Sequence, residues 1–276
     1  QTFYHILLCI ILSILNKKFA LWMDIPQKFP TGFKKKLKSY ILKITPFILI
    51  TGKPFIKKIK KYYKINSTVY NFPYLAISQE KSYIEKITEK RIEKLNADES
   101  INIIVANRFE KRKGYDTLFK AFEFAEDYLI NKTNIIIIGS GSLQEKYINI
   151  SKNIKLKINF LDWVEYNKYL NILENSDILI HASSHENYGI PPIDAMACGK
   201  LVIASTGVVS ALDRINNFEN GILFEKNNPK QLSRILINII NDKRIIYKYG
   251  NEAKKTSKTY DFEYNHQILE KLIYHK

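Results

Sequence analysis

The sequence predicts an α/β chain made of two doubly wound parallel-sheet units, and two patterns carry that reading. Nearly continuous β-branched runs, such as residues 101–106 and 134–138, suit strands buried on both faces. Between them Leu118, Phe122, Ala125 and Leu129 recur at helical spacing. A hydrophobic fraction of 46% over 276 residues supplies enough apolar side chains for real cores, which excludes a disordered or collagen-like chain.

The elements follow in order. Residues 3–15 are apolar and uncharged. The run 5–15 falls short of the roughly 20 residues a bilayer requires, and it lacks the basic flank and small-residue cleavage site of a signal peptide. It reads as a buried helix. The chain starts at Gln1 without a methionine, and the amino-terminal unit reads as incomplete. Residues 18–25 suit a strand. Over 33–43 the apolar positions Phe33, Leu37, Tyr40 and Ile41 define the core face of a helix whose other face is lysine. A second strand at 46–51 ends at Gly52, and Pro54 precedes a helix with Phe55, Ile56, Ile59, Tyr62 and Tyr63 on one side and Lys57, Lys58, Lys60 and Lys61 on the other. A short strand at 67–70 closes the half-domain. Residues 71–96 connect the units, with an exposed helix expected over 80–95.

From Ile101 the rhythm restarts, with further strands at 157–161, 177–181, 201–205 and 221–224 and closing helices near 229–241, 243–258 and after Asp261. The expected organisation is therefore an amino-terminal Rossmann-like unit over 1–75, a linker over 76–100, a carboxyl-terminal Rossmann-like unit over 101–258, and a terminal helix over 259–276.

Charge is concentrated at one end. Residues 17–65 hold 14 Lys and one acid, Asp24, whereas residues 66–276 are close to balanced, so most of the net +16 sits in one fifth of the chain. Such a face suits an anionic membrane surface or an anionic acceptor. Nucleic acid fits poorly, because Tyr40, Tyr62 and Tyr63 fall at core-facing helical positions and form no stacking platform. Two cysteines, Cys9 and Cys198, and five scattered histidines supply neither a disulfide framework nor a zinc site, which points to a reducing, cytoplasmic compartment.

The densest run of chemistry-bearing residues is Ser183-Ser184-His185-Glu186-Asn187-Tyr188-Gly189-Ile190-Pro191-Pro192-Ile193-Asp194-Ala195-Met196-Ala197-Cys198-Gly199. It lies between a strand and a helix at the carboxyl edge of a parallel sheet, where α/β folds bind ligands. A helix starting there turns free amides and a positive dipole end toward an anion, with Gly189 and Ile190 the best-placed donors. Glu186 and Asp194 flank that point and suit hydroxyl groups on either side of a phosphate.

These residues resemble the signature of retaining glycosyltransferase family 4. The resemblance extends over the last two-thirds of the chain: Val105-Ala106-Asn107-Arg108-Phe109 with Lys113-Gly114-Tyr115-Asp116, the turn Ile138-Gly139-Ser140-Gly141-Ser142-Leu143, Phe160-Leu161-Asp162-Trp163-Val164, and Asn220-Gly221-Ile222-Leu223. It implies a GT-B fold, with two Rossmann-like domains facing a cleft. It also implies transfer of a hexose, with retention, from a nucleotide diphosphate sugar to a glycan or lipid-linked acceptor in cell-surface polysaccharide or lipopolysaccharide synthesis. Arg108 and Lys113 would neutralise the donor diphosphate and Glu186 would hold the transferred sugar, these three forming the catalytic set. Gly141, Val164, Tyr188, Gly189, Ile190 and Asp194 would bind the donor, Val164 meeting the base and Asp194 the ribose. Asp194 departs from the family's usual Glu, Asn107 from its usual Gly, and Lys200-Leu201 from a common x-Pro.

No Asp-x-Asp triplet occurs, so no metal and no cofactor are expected. His181 and His185 read as structural, and Asp24 as a turn residue at a strand end. The competing readings are a nucleotide-sugar-binding chain without transferase activity and a nucleotide-sugar epimerase on the same fold. The expected location is cytoplasmic, peripheral on the inner face of the plasma membrane.

Overall fold

A computed structural model describes residues 3–26, 28–76 and 100–274. The chain divides into two compact units, one comprising Gln1–Leu75 with Tyr260–Lys276 and the other Ala76–Thr259. The helix expected over 80–95 lies outside the described residues.

In the first unit β1 (Ala20–Met23), β2 (Phe47–Ile50) and β3 (Thr68–Asn71) pair in parallel in the order β1-β2-β3. Three helices belong to it before residue 75: α1 (Phe3–Ile14), α2 (Gly32–Ile44) and α3 (Ile56–Tyr63). Ile48, Ile50, Ile41, Leu42, Ile59 and Tyr63 are buried there. The last helix, Phe262–Tyr274, returns to this unit and buries Ile268 and Leu272 in a cluster with Leu49.

Two expectations are corrected here. The first helix forms but is not a core helix: Cys9 is buried, whereas Tyr4, Leu8, Ile11 and Ile14 are exposed, because an all-apolar helix packed along one side leaves the rest of its surface uncovered. On α2 the buried residues are Ile41 and Leu42, and Phe33 and Tyr40 lie in solvent. The buried stripe is thus confined to the helix's last turn.

The second unit carries a six-stranded, fully parallel sheet formed by β4 (Ile101–Ala106), β5 (Thr133–Ile138), β6 (Lys157–Leu161), β7 (Ile178–His181), β8 (Leu201–Ser205) and β9 (Ile222–Phe224). Their order is β6-β5-β4-β7-β8-β9, or 3-2-1-4-5-6 counted from β4. Successive side chains point to opposite faces, so Ile103, Val105, Ile135, Ile137 and Ile203 join one core, and Ile104, Ile138, Leu179, Val202 and Ala204 the other. The first core is covered by α4 (Tyr115–Leu129) and the helix Pro229–Asn241, the second by α6 (Tyr166–Glu174) and α7 (Ile190–Ala197), with α5 (Gln144–Ser151) lying between α4 and α6 in sequence. Both faces of the central strands are therefore dry, which is why β4, β7 and β8 read as aliphatic runs, whereas the edge strand β6 has no fully buried position.

The chain reverses winding direction between β4 and β7, which are neighbours in the sheet. The loops leaving the carboxyl ends of those two strands meet at this switch point, where α/β folds bind ligands. Residues 107–114 leave β4, and residues 182–189 leave β7.

Candidate active site

Those two loops are held together by backbone. The Ser184 amide and hydroxyl donate to the Arg112 carbonyl at 2.8 and 3.1 Å, and the Glu186 amide ties the β7 loop to the segment after β8 by donating to the Gly207 carbonyl at 2.8 Å. Gly114 makes the approach possible: its φ is +74°, and a Cβ there would lie 1.9 Å from the Ala182 carbonyl oxygen. The preceding Lys113 is thereby delivered to the β7 loop.

Lys113 and Glu186 form an ion pair across this junction, with side chains only 10% and 11% exposed. The other Glu186 oxygen takes Arg112 NH1 at 3.2 Å, and His181 Nε2 stands 3.6 Å from Oε2. Burial alone would raise the Glu186 carboxyl, but His181 and Lys113 overcome it and hold the group well below the ordinary carboxylate range. Glu186 is therefore an anion. Glu110 extends the network, meeting Arg112 Nε at 3.0 Å and Arg108 NH1 at 3.3 Å. The Arg108 side chain is 75% exposed and lines the neighbouring cavity.

That cavity measures about 630 Å³ and lies wholly within the second unit. Arg108, Ser140, Val164, Ile190 and Asp194 are among its lining residues, and Trp163 stands on its wall with 73% of its surface exposed. Asp194 is the anomalous member. It is 1% exposed, its Oδ1 accepts from the Tyr166 hydroxyl at 3.2 Å, and its Oδ2 has no hydrogen-bond partner among the described residues. Burial pushes its carboxyl up to about 7, against the pull of the Tyr166 hydroxyl. Asp194 thus lines the cavity while its unpartnered oxygen is itself buried. The amides of Gly189 and Ile190 stand at the start of α7, where intrahelical acceptors do not exist.

The sequence-derived residues thus fall into separate groups. Lys113 and Glu186 meet directly, and Arg108 joins them through Glu110 and Arg112. Val164, Ile190 and Asp194 share the cavity, with Gly189 capping the helix on which two of them lie. Tyr188 and Gly141 belong to neither group. Tyr188 is buried, its hydroxyl 3.5 Å from Asp213 Oδ2, and Gly141 packs on the Phe109 backbone. Gly139 lines the cavity in its place, and a Cβ there would lie 1.9 Å from the Asn107 carbonyl oxygen. Two residues of the cluster escaped the sequence reading. Arg112 was concealed in the run Lys111-Arg112-Lys113, and the available signal for His181 was a lone polar residue ending an apolar strand. In the first unit Asp24 is fixed by the Thr51 hydroxyl at 2.9 Å and the Tyr74 hydroxyl at 3.3 Å.

A 3-2-1-4-5-6 parallel sheet with cations and helix amides at its switch point is a Rossmann-like unit, the building block of the GT-B fold. The likeness to the crystal structure of Anabaena HepE in complex with UDP agrees with that fold, at a TM-score of 0.74 and 17% identity over 97% of this chain and 75% of that one. The chain belongs to the glycosyl transferases group 1, whose family profile matches residues 86–256. It is 28% identical over 236 residues to an uncharacterised glycosyltransferase of Methanocaldococcus jannaschii, covering 82% of this chain and 59% of that protein. It is 22% identical over 239 residues to the N-acetylgalactosamine-N,N'-diacetylbacillosaminyl-diphospho-undecaprenol 4-alpha-N-acetylgalactosaminyltransferase of Campylobacter jejuni, covering 87% and 63%. The chain therefore spans about three-fifths of the length of either curated relative.

Proposed function

We propose that this chain transfers a hexose, with retention and without a metal, from a nucleotide diphosphate sugar to a glycan or lipid-linked acceptor. The observation that carries the reading is the cluster of Lys113, Arg112 and Glu186 beside a cavity lined by Arg108, Val164, Ile190 and Asp194. A departing nucleoside diphosphate develops negative charge as the glycosidic bond breaks, and preorganised cations lower that barrier. Arg108, Arg112 and Lys113 supply the cations, and the Gly189 and Ile190 amides add neutral donors. Asp194 accepts from the ribose, the Val164 backbone meets the base, and Glu186 accepts from hydroxyls of the transferred sugar. Retention rests on the family resemblance.

The acceptor side rests on different support. The Campylobacter relative acts, by its name, on a diphospho-undecaprenol-linked sugar. The lysine-rich first unit suits such an acceptor at an anionic membrane surface, where a protein in cell-surface polysaccharide or lipopolysaccharide synthesis would work. Among the described residues no helix is long and apolar enough to cross a membrane.

The direct test offers the chain UDP- and GDP-hexoses with polyprenyl-diphosphate sugars and reads the anomeric configuration of any product by NMR. An α-linked product from an α-linked donor is expected. An inverted product would remove retention, and epimerised donor without transfer would replace the reading.

A further inference from the structure

We propose that Asn107 and His181 together form a positioning relay for Glu186, in which the Asn107 amide fixes the imidazole as its Nε2–H form and that N–H is directed at the Glu186 carboxylate. The inference deepens the donor-site reading and rests on it for its functional consequence.

The geometry leaves one consistent assignment. Asn107 Nδ2 and His181 Nδ1 are 3.3 Å apart, so one must donate and the other accept. With the amide oxygen turned to the ring, Nδ1 would carry the proton and the Nε2 lone pair would face Glu186 Oε2 at 3.6 Å, anion against lone pair. With the amide nitrogen turned to the ring, Nδ1 accepts and Nε2–H points at the carboxylate. At 3.6 Å that contact is charge-facing and not yet a hydrogen bond, and Nε2 has no hydrogen-bond partner among the described residues. A doubly protonated ring is disfavoured, because His181 is 1% exposed and, besides Glu186, the charged groups facing it are Lys113 and Arg112. Burial first, then those cations, keep the ring's pKa low.

Asn107 is itself held rigidly. Its backbone N–H donates to the Ile138 carbonyl at 3.0 Å, and its backbone carbonyl accepts from the Tyr115 hydroxyl at 2.8 Å. The relay therefore starts from fixed backbone at the end of β4 and ends on a side chain from the β7 loop. Its consequence follows from charge. Lys113 and Arg112 are the cations a diphosphate needs, and Glu186 pairs with both. When they turn to the diphosphate, the buried carboxylate keeps a donor only if His181 supplies it, and it then stays aimed while an oxygen is released for a sugar hydroxyl.

The test uses the full chain with histidine rings labelled in nitrogen and Glu carboxyls in carbon, read by NMR. His181 should show the neutral Nε2–H form with no titration between about pH 5.5 and 8.5, a range spanning the ordinary histidine value. Asn107→Asp should convert the ring to an Nδ1–H or doubly protonated signature, because a carboxylate there can only accept. His181→Phe should raise the Glu186 titration midpoint by roughly one unit, the scale of a lost charge-facing donor. If His181→Phe does not fold, Asn107→Asp carries the same test. An Nδ1–H ring in the unaltered chain, or an Asn107→Asp ring signature identical to it, overturns the relay. None of these readouts needs a donor. A chain with the predicted ring that binds no pyrophosphate would thus count against the donor site and not against the relay.

Discussion

Lys113 closes onto Glu186 across 73 residues of sequence, joining the loop after one central strand to the loop after its neighbour. The pair is nearly dry, so its two charges depend on each other. Replacing Lys113 by Met should leave Glu186 with Arg112 and the more distant His181, costing about 3 kcal/mol of stability, the scale for stranding a buried charge. Lys113→Met combined with Glu186→Gln should recover most of that loss. Urea unfolding of the four proteins of the cycle measures the coupling, and purely additive losses would show that the pair contributes nothing beyond its separate side chains.

Glu186 and Asp194 should give opposite pH dependences. The folded-state pKa of Glu186 lies below its unfolded value, so its contribution is present above pH 4.5 and is lost only as the pH falls through the depressed folded value. Asp194 is raised from 3.8 to about 7, so its contribution is intact below pH 4 and declines as the pH rises to 7. A shift of that size corresponds to at most about 4 kcal/mol. Asp194→Asn should therefore be more stable than the parent at pH 8 and about equal at pH 4, in thermal melts at both values. A variant less stable than its parent at pH 8 would mean that the carboxylate is ionised and partnered.

Gly114→Ala tests the junction that delivers Lys113. Both its left-handed φ and its close approach to Ala182 exclude a side chain. The substitution should cost roughly 3 kcal/mol, well above the usual glycine-to-alanine effect at a compatible position. A neutral effect in unfolding experiments would show that the two loops separate without consequence.

How much of this was legible beforehand depended on how local each signal is. Ile101–Ala106 and Leu201–Ser205 declare themselves because a strand buried on both faces needs aliphatic residues at every position. Phe33 and Tyr40 misled because helical spacing marks a possible core face, and only the packing decides how much of it is covered. The Glu186 cluster was partly visible: Glu186 and Lys113 stand in recognisable motifs, whereas Arg112 meets Glu186, and His181 meets Asn107, only through a fold that closes 74 residues of sequence in each case. Likewise the glycine-rich turn was apparent, but which of its glycines faces the cavity depends on how the turn crosses Asn107 and Phe109.

The lysines of α2 and α3 carry a prediction about location. Lys35 Nζ lies 4.1 Å from the Tyr62 ring centroid and Lys58 Nζ lies 5.0 Å from that of Phe29. Each lysine near an anionic surface contributes on the order of 1 kcal/mol. Co-sedimentation with vesicles containing anionic lipid should show binding that falls with salt and weakens when Lys34, Lys35, Lys57 and Lys58 become Gln. Equal binding to neutral vesicles would reject an electrostatic surface.

The switch-point crevice of the second unit should bind a nucleoside diphosphate, and calorimetric titration of the 276-residue chain with UDP and GDP decides whether it does. At least one should bind, and Arg108→Ala and Asp194→Ala should each weaken it by roughly 10- to 100-fold, the scale of hydrogen bonds to charged groups. Absence of binding by both nucleotides, or binding indifferent to both substitutions in folded protein, would contradict the assignment.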